Sequence, residues 1–203
     1  PRAAYLEIPL DLLKIKADVE IPTPALVVPA RAAESDTIAA ANILRESKRP
    51  MIIAGAGVTA SGANEELARL AELLQAPVLL GGKSRDVLPT DHALVIATTG
   101  YTVSAELIEL MRTSDAVLVV GSKIGEERTA GRHWPLPATL IQIDIDPAEI
   151  GRLYPATVGL VADARCGLGD LLEALSAAPG QWHSRAAELA NVRDAQHKLL
   201  LQA

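Results

Sequence analysis

The sequence predicts an α/β fold: a three-layer open parallel sheet, Rossmann-like and of the nucleotide-binding type, with helices on both faces. Three observations carry this. Short, wholly apolar runs recur along the chain, as expected of strands buried on both sides. Segments between them place apolar residues at i, i+3, i+4 and i+7, the spacing of a helix with one buried face. One apolar run leads at once into Gly55-Ala-Gly57, a strand-to-helix turn.

Taken in order, residues 4–10 alternate apolar and polar up to Pro9 and read as one short strand. Residues 14–33 carry Pro22, Pro24 and Pro29 with little periodicity, which reads as a linker. Glu34–Arg49 reads as a helix with Ser35 and Asp36 as candidate N-caps, ending before Pro50. Met51–Ala54 is the first buried strand. A helix follows over about Ala63–Gln75, with Leu67, Leu70, Ala71 and Leu74 on one face. Pro77–Leu80 is the second strand. Val103, Leu107, Leu110 and Met111 mark another amphipathic helix, and Ala116–Val120 a third strand. Leu140–Asp144 is a fourth strand, with Asp146-Pro147 set to cap and open a short helix. Thr157–Val161 is a fifth strand, Cys166–Ala177 a helix, and residues 181–203 a polar helix or tail. The expected division is therefore 1–13 as the end of a preceding domain, 14–33 as linker, 34–178 as the Rossmann-like domain and 179–203 as a C-terminal helix or linker. The chain begins at Pro1 and reads as cut from something longer.

Composition narrows the function. The 203 residues are 49% hydrophobic and 22% charged, enough apolar matter for a sizeable core. Aromatics are 2% with no Phe, so the core must be aliphatic and there are no platforms for base stacking. A net charge of -6 argues further against nucleic acid. One cysteine, Cys166, excludes a disulfide framework or a Cys-rich metal site. No run approaches the roughly 20 residues of a membrane span, and no signal peptide is visible, so the expectation is a cytoplasmic protein without membrane or nucleic-acid partners.

In open α/β sheets ligands bind beyond the carboxyl ends of the strands. Gly55-Ala56-Gly57-Val-Thr-Ala60 follows a strand there, and its glycines let backbone approach a phosphate; it reads equally as a plain tight turn. A dinucleotide dehydrogenase should carry an acid at the end of the second strand, where this chain has Leu79-Leu80-Gly81-Gly82. Asp144 ends the fourth strand, where it can accept ribose hydroxyls, with Ile145 able to press on an adenine face. The alternative is a solvated strand end beside a capping Asp146. Asp163 is a third acid on the same rim, and the spacing of the three supports no metal site. Lys123 and Arg128, in the loop from Gly121 to Gly131, could hold phosphates or simply be solvated. Gly81-Gly-Lys83-Ser84 is not a Walker loop, because Pro77 stands where its first glycine belongs. No nucleophile–base pair appears, so no catalytic residue is assigned.

Together these segments resemble the central domain of thiamine-diphosphate-dependent enzymes of the acetolactate synthase, pyruvate oxidase and oxalyl-CoA decarboxylase group. The resemblance rests on Leu140-Ile-Gln-Ile-Asp-Ile-Asp-Pro-Ala-Glu-Ile-Gly151 and on Ala54-Gly-Ala-Gly57 after Arg49-Pro50. Val161-Ala-Asp-Ala164, Leu88-Pro-Thr-Asp-His92 and Gly121 with Arg128 and Gly131 follow in the expected order, and Tyr5–Leu12 resembles the end of a pyrimidine-binding domain. It spans roughly residues 4–177. It implies a parent enzyme, a carboligase or decarboxylase, in which thiamine diphosphate and Mg sit in pyrimidine- and diphosphate-binding domains of the same chain. The parent is expected to be a homo-oligomer, dimer or tetramer. The domain itself is implied to be structural and not catalytic alone, taking FAD, ADP or nothing. Gly55, Ala56 and Gly57 would lie near the nucleotide, Asp144 on its ribose, Ile145 against adenine and Asp163 nearby. The FAD-binding relatives show Arg-Phe-Asp-Asp-Arg where this chain has Lys123-Ile-Gly-Glu-Glu-Arg128, and Lys lacks the bidentate fork of Arg. The competing expectation is a free-standing adenine-nucleotide or NAD-binding module.

Overall fold

The computed structural model describes residues 5–98, 101–127 and 129–202. Six parallel strands form one sheet: β1 (Pro50–Ala54), β2 (Val78–Gly81), β3 (Val95–Thr98), β4 (Ala116–Val120), β5 (Leu140–Asp144) and β6 (Val158–Val161). Their order is β3-β2-β1-β4-β5-β6, so the chain leaves β1 toward one edge and returns past it to β4. Parallel crossovers are right-handed, so opposite directions of travel put their connections on opposite faces. Helices α2 (Ala56–Ser61) and α3 (Asn64–Leu74) link β1 to β2, and α4 (Ala105–Thr113) links β3 to β4. Helix α5 (Ala164–Ala177) packs against α1 (Glu34–Glu46) and α3, while α4 packs against α6 (Ala186–Gln202). The three-layer Rossmann-like sheet expected from the sequence is the fold observed.

The core is aliphatic, as the absence of Phe requires. Every residue of β1 and β4 is buried, including Met51, Ile52, Ile53, Val117, Leu118 and Val119. Leu67, Leu70, Ala71 and Leu74 form the buried stripe of α3, as their spacing predicts.

Several local expectations are corrected. Residues 5–9 form no strand, and all of residues 5–28 are exposed: apolar alternation makes a strand only where a sheet edge accepts its hydrogen bonds. Helix α1 starts at Glu34 with Ala33 as its uncapped N-cap, which moves Asp36 into the first turn, where its charge suits the helix dipole. Helix α5 begins at Ala164, two residues before the expected start, because Asp163 caps it. Two elements are additional: the six-residue α2 and the edge strand β3. Of the two readings of the C-terminal residues, helix or tail, the helix is the one observed: Ala186–Gln202 docks with Leu189, Val192 and Gln196 buried against β3 and α4.

Asp115 ties the turn before β1 to the turn before β4. Its carboxylate accepts from the Ser47 hydroxyl, the Lys48 amide at 2.8 Å and the Arg49 amide at 3.0 Å. Its own amide donates to the Arg49 carbonyl at 3.2 Å. Burial pushes the carboxyl up, but the bonds from Ser47, Lys48 and Arg49 outweigh it and hold it below the ordinary 3.8. Glu188, on α6, is also held low, by the Arg185 and Arg49 guanidinium groups.

A depressed native pKa adds stability that is present above the unfolded-state value and is lost as pH falls through the native one. Asp115→Asn should cost about 1 kcal/mol at neutral pH, the worth of a partly solvated charged hydrogen bond. It should also flatten the acid limb of stability below the ordinary carboxylate value. Urea denaturation across pH checks both; an unchanged acid limb would assign the acid sensitivity elsewhere.

Candidate functional site

The crossovers diverge between β1 and β4, which is where an open sheet forms a crevice. The loop after β1 and the loop after β4 touch there backbone to backbone. Gly55 donates to the Val120 carbonyl at 2.8 Å and Gly57 to the Gly121 carbonyl at 3.0 Å. A Cβ on Gly55 would lie 2.2 Å from the Gly121 carbonyl oxygen, and one on Gly57 2.6 Å from the Gly121 Cα. Gly121 has φ +56, and its own Cβ would meet the Gly57 Cα at 2.6 Å. The bare faces of Gly55 and Gly57 serve the close packing of the two loops, and the turn borders a cleft.

That cleft has a volume of about 850 Å3, within the range of small-molecule sites. Of the residues singled out in the sequence, Gly55, Ala56, Gly57, Lys123, Asp144, Ile145 and Asp163 all line it. Arg128 lies outside the described residues. The opposite wall consists of Gly81–Ser84, weighed above only as a Walker loop and set aside, with Thr98 and Tyr101, which the sequence reading did not single out.

Each candidate has its own setting. Asp144, half-buried, accepts from the Asp146 amide at 3.0 Å through Oδ1; a carboxylate keeps further acceptor capacity. Ile145 is 50% exposed at the rim, an apolar face that borders the cleft without belonging to the core. Asp146 caps the single turn Pro147–Glu149, as its spacing predicts. Asp163 accepts from the Arg165 and Cys166 amides at 3.0 and 3.4 Å, so it caps α5 while lining the cleft. Lys123 places Nζ 2.9 Å from Glu149 Oε1, and Arg152 holds the other oxygen of Glu149 at 2.7 Å. The hydrogen bond from Lys123, joined by that from Arg152, holds the Glu149 carboxyl below its ordinary 4.5.

Gln142 is the polar residue inside the apolar strand β5, and it is 2% exposed. Its amide nitrogen donates to the Ser122 carbonyl at 3.3 Å and the Glu149 carbonyl at 3.0 Å, and its oxygen accepts from Gly151 at 2.9 Å. It therefore clamps the loop after β4 to the loop after β5. A Gln within Leu140-Ile-Gln-Ile-Asp144 was the available sequence signal.

The groups present limit the chemistry. Among the described residues no three His, Cys, Asp or Glu gather as metal ligands. Nor is any described helix long and apolar enough to cross a membrane. Residues 37–175 match the family described as thiamine pyrophosphate enzyme, central domain. The chain is 36% identical over 174 residues to a sulfoacetaldehyde acetyltransferase of Castellaniella defragrans, covering 83% of this chain and 29% of that protein. It is 35% identical over 185 residues to a probable acetolactate synthase large subunit of Methanocaldococcus jannaschii, covering 87% and 31%. It is 34% identical over 196 residues to a probable 2-ketoarginine decarboxylase of Pseudomonas aeruginosa, covering 95% and 34%. The chain thus spans about a third of the length of the curated relatives it matches.

Gly121→Ala should cost about 3 kcal/mol, combining a left-handed backbone with a clash against backbone that cannot retreat. Gly125→Ala, in the same loop with nothing within 4 Å of its would-be Cβ, should stay within about 0.5 kcal/mol of the parent sequence. Thermal denaturation of the two variants reads the contrast; equal effects would mean the loops separate freely.

Proposed function

Since the chain belongs to the thiamine pyrophosphate enzymes as their central domain, we propose that it binds an adenine nucleotide, ADP or the ADP half of FAD, in the cleft at the β1/β4 switch. The observation carrying this is the convergence of loops from six strands on one crevice rimmed by a carboxylate and an exposed aliphatic face. Asp144 accepts the ribose hydroxyls and Ile145 covers one face of adenine. Gly55, Ala56 and Gly57 form the floor beneath the phosphates, and Asp163 fixes the first turn of α5 at the edge. Of the two cations expected at the phosphates, Arg128 lies outside the described residues and the Lys123 ammonium is already paired with Glu149. FAD, if it is the occupant, brings redox capacity that the chain's own residues lack. Those residues bind, orient and exclude water.

In this reading the domain serves the enzyme as a structural scaffold and not as the seat of catalysis. Thiamine diphosphate serves the whole enzyme. In our reading it sits with Mg in pyrimidine- and diphosphate-binding domains of the same chain, and the enzyme is a cytoplasmic homo-oligomer, dimer or tetramer. The names of the relatives support an acetolactate-synthase-like carboligation, acyl transfer or decarboxylation. A free-standing NAD module is disfavoured by the family match and by the end of β2, which is Gly81-Gly82 where NAD binding calls for an acid.

Titration calorimetry with ADP and with FAD tests the reading. Binding is expected, and Asp144→Ala should weaken it by about 1.5–3 kcal/mol, the loss of a charged hydrogen bond. No heat at millimolar nucleotide would leave the domain a packing element only.

A further inference from the structure

Resting on the nucleotide reading above, we propose that Lys83, and not Lys123, is the cation that meets the diphosphate. A diphosphate brings several negative charges into a cleft already lined by Asp144, Asp163 and Glu127, so a counter-charge is required. The glycine turn supplies little of it. The amides of Gly55, Gly57 and Val58 already donate to the carbonyls of Val120, Gly121 and Gly55.

Lys123 lines the cleft, but its ammonium lies against Glu149, a carboxylate whose side chain is only 11% exposed. A phosphate drawn to Lys123 would meet that carboxylate at close range. Lys83 stands on the other wall in a different setting. It is exposed, and among the described residues it makes no ion pair. Its turn, Gly82–Ser84, is held by the buried Ser84 hydroxyl, which donates to the Gly81 carbonyl at 2.9 Å and accepts from the Gly81 amide at 3.3 Å. The turn packs against α2, the helix that begins at the glycine turn. Lys83 therefore presents an uncompensated point charge beside the place where the phosphates are expected. An ammonium selects charge more than shape, so the ligand class is a nucleoside diphosphate, free or as part of a dinucleotide, over the bare nucleoside.

The test is calorimetry of the wild-type chain, Lys83→Gln and Lys123→Gln with ADP, FAD and adenosine. Wild type should prefer ADP to adenosine by about tenfold or more. Lys83→Gln should weaken ADP by about tenfold while leaving adenosine within about twofold, and Lys123→Gln should leave ADP within about threefold. Equal losses for ADP and FAD assign Lys83 to the diphosphate they share. A loss with one alone also supports it and identifies the nucleotide the cleft takes. Unchanged ADP and FAD affinity in Lys83→Gln, or a loss that falls on Lys123→Gln instead, overturns the assignment and leaves the nucleotide reading standing. Wild type binding neither nucleotide overturns both, and that result is seen before any variant is compared. Both lysines are exposed, so the variants should keep the wild-type melting temperature, which certifies the comparison.

Discussion

Two loops can leave neighbouring strands for opposite faces of a sheet only if they pass each other at close quarters. Here they pass at Gly57 and Gly121 with no side chain between them. That contact fixes the distance between the β1 and β4 lips, and with it the depth of the crevice below. A side chain at any of Gly55, Gly57 or Gly121 would push the loops apart. The glycine pattern is thus first a packing requirement of the strand order, and its position at a ligand-sized cleft follows from the same topology.

The crevice combines two chemically different walls. One, from β5 and β6, offers carboxylates and the exposed Ile145; the other, from β2 and β3, offers Gly82, Lys83 and Tyr101. The acid sits at the end of β5 and not β2, which sets this domain apart from dehydrogenases that share its strand order. Every parallel strand delivers its last residue to the same edge, so an acid at the end of either strand would face the same crevice.

Much of this was legible in the sequence, for physical reasons. Fully buried strands such as Ala116–Val120 must be wholly apolar, and Asp144 had to fall at the rim once Leu140–Ile143 were in the sheet. What escaped lacked that kind of signature. Strand β3 is four residues at an edge with Ala97 exposed, and no α-helix precedes it to announce a crossover. Helix α2 is too short to show a period. Residues 5–9 had the period but no neighbouring edge to pair with. At the site, the rim residues were readable from strand ends. The Lys123–Glu149 pair and the wall at Gly82 and Tyr101 join segments far apart in sequence, and only the sheet order brings them together.

Gln142 has a consequence for how a guest is received. One amide group, sealed in the sheet, is bonded to both the β4 and the β5 loops. Neither lip can drift without breaking a bond in a place water does not reach. The entropy of ordering that half of the cleft is therefore settled when the chain folds, and a molecule entering it would meet a wall already set.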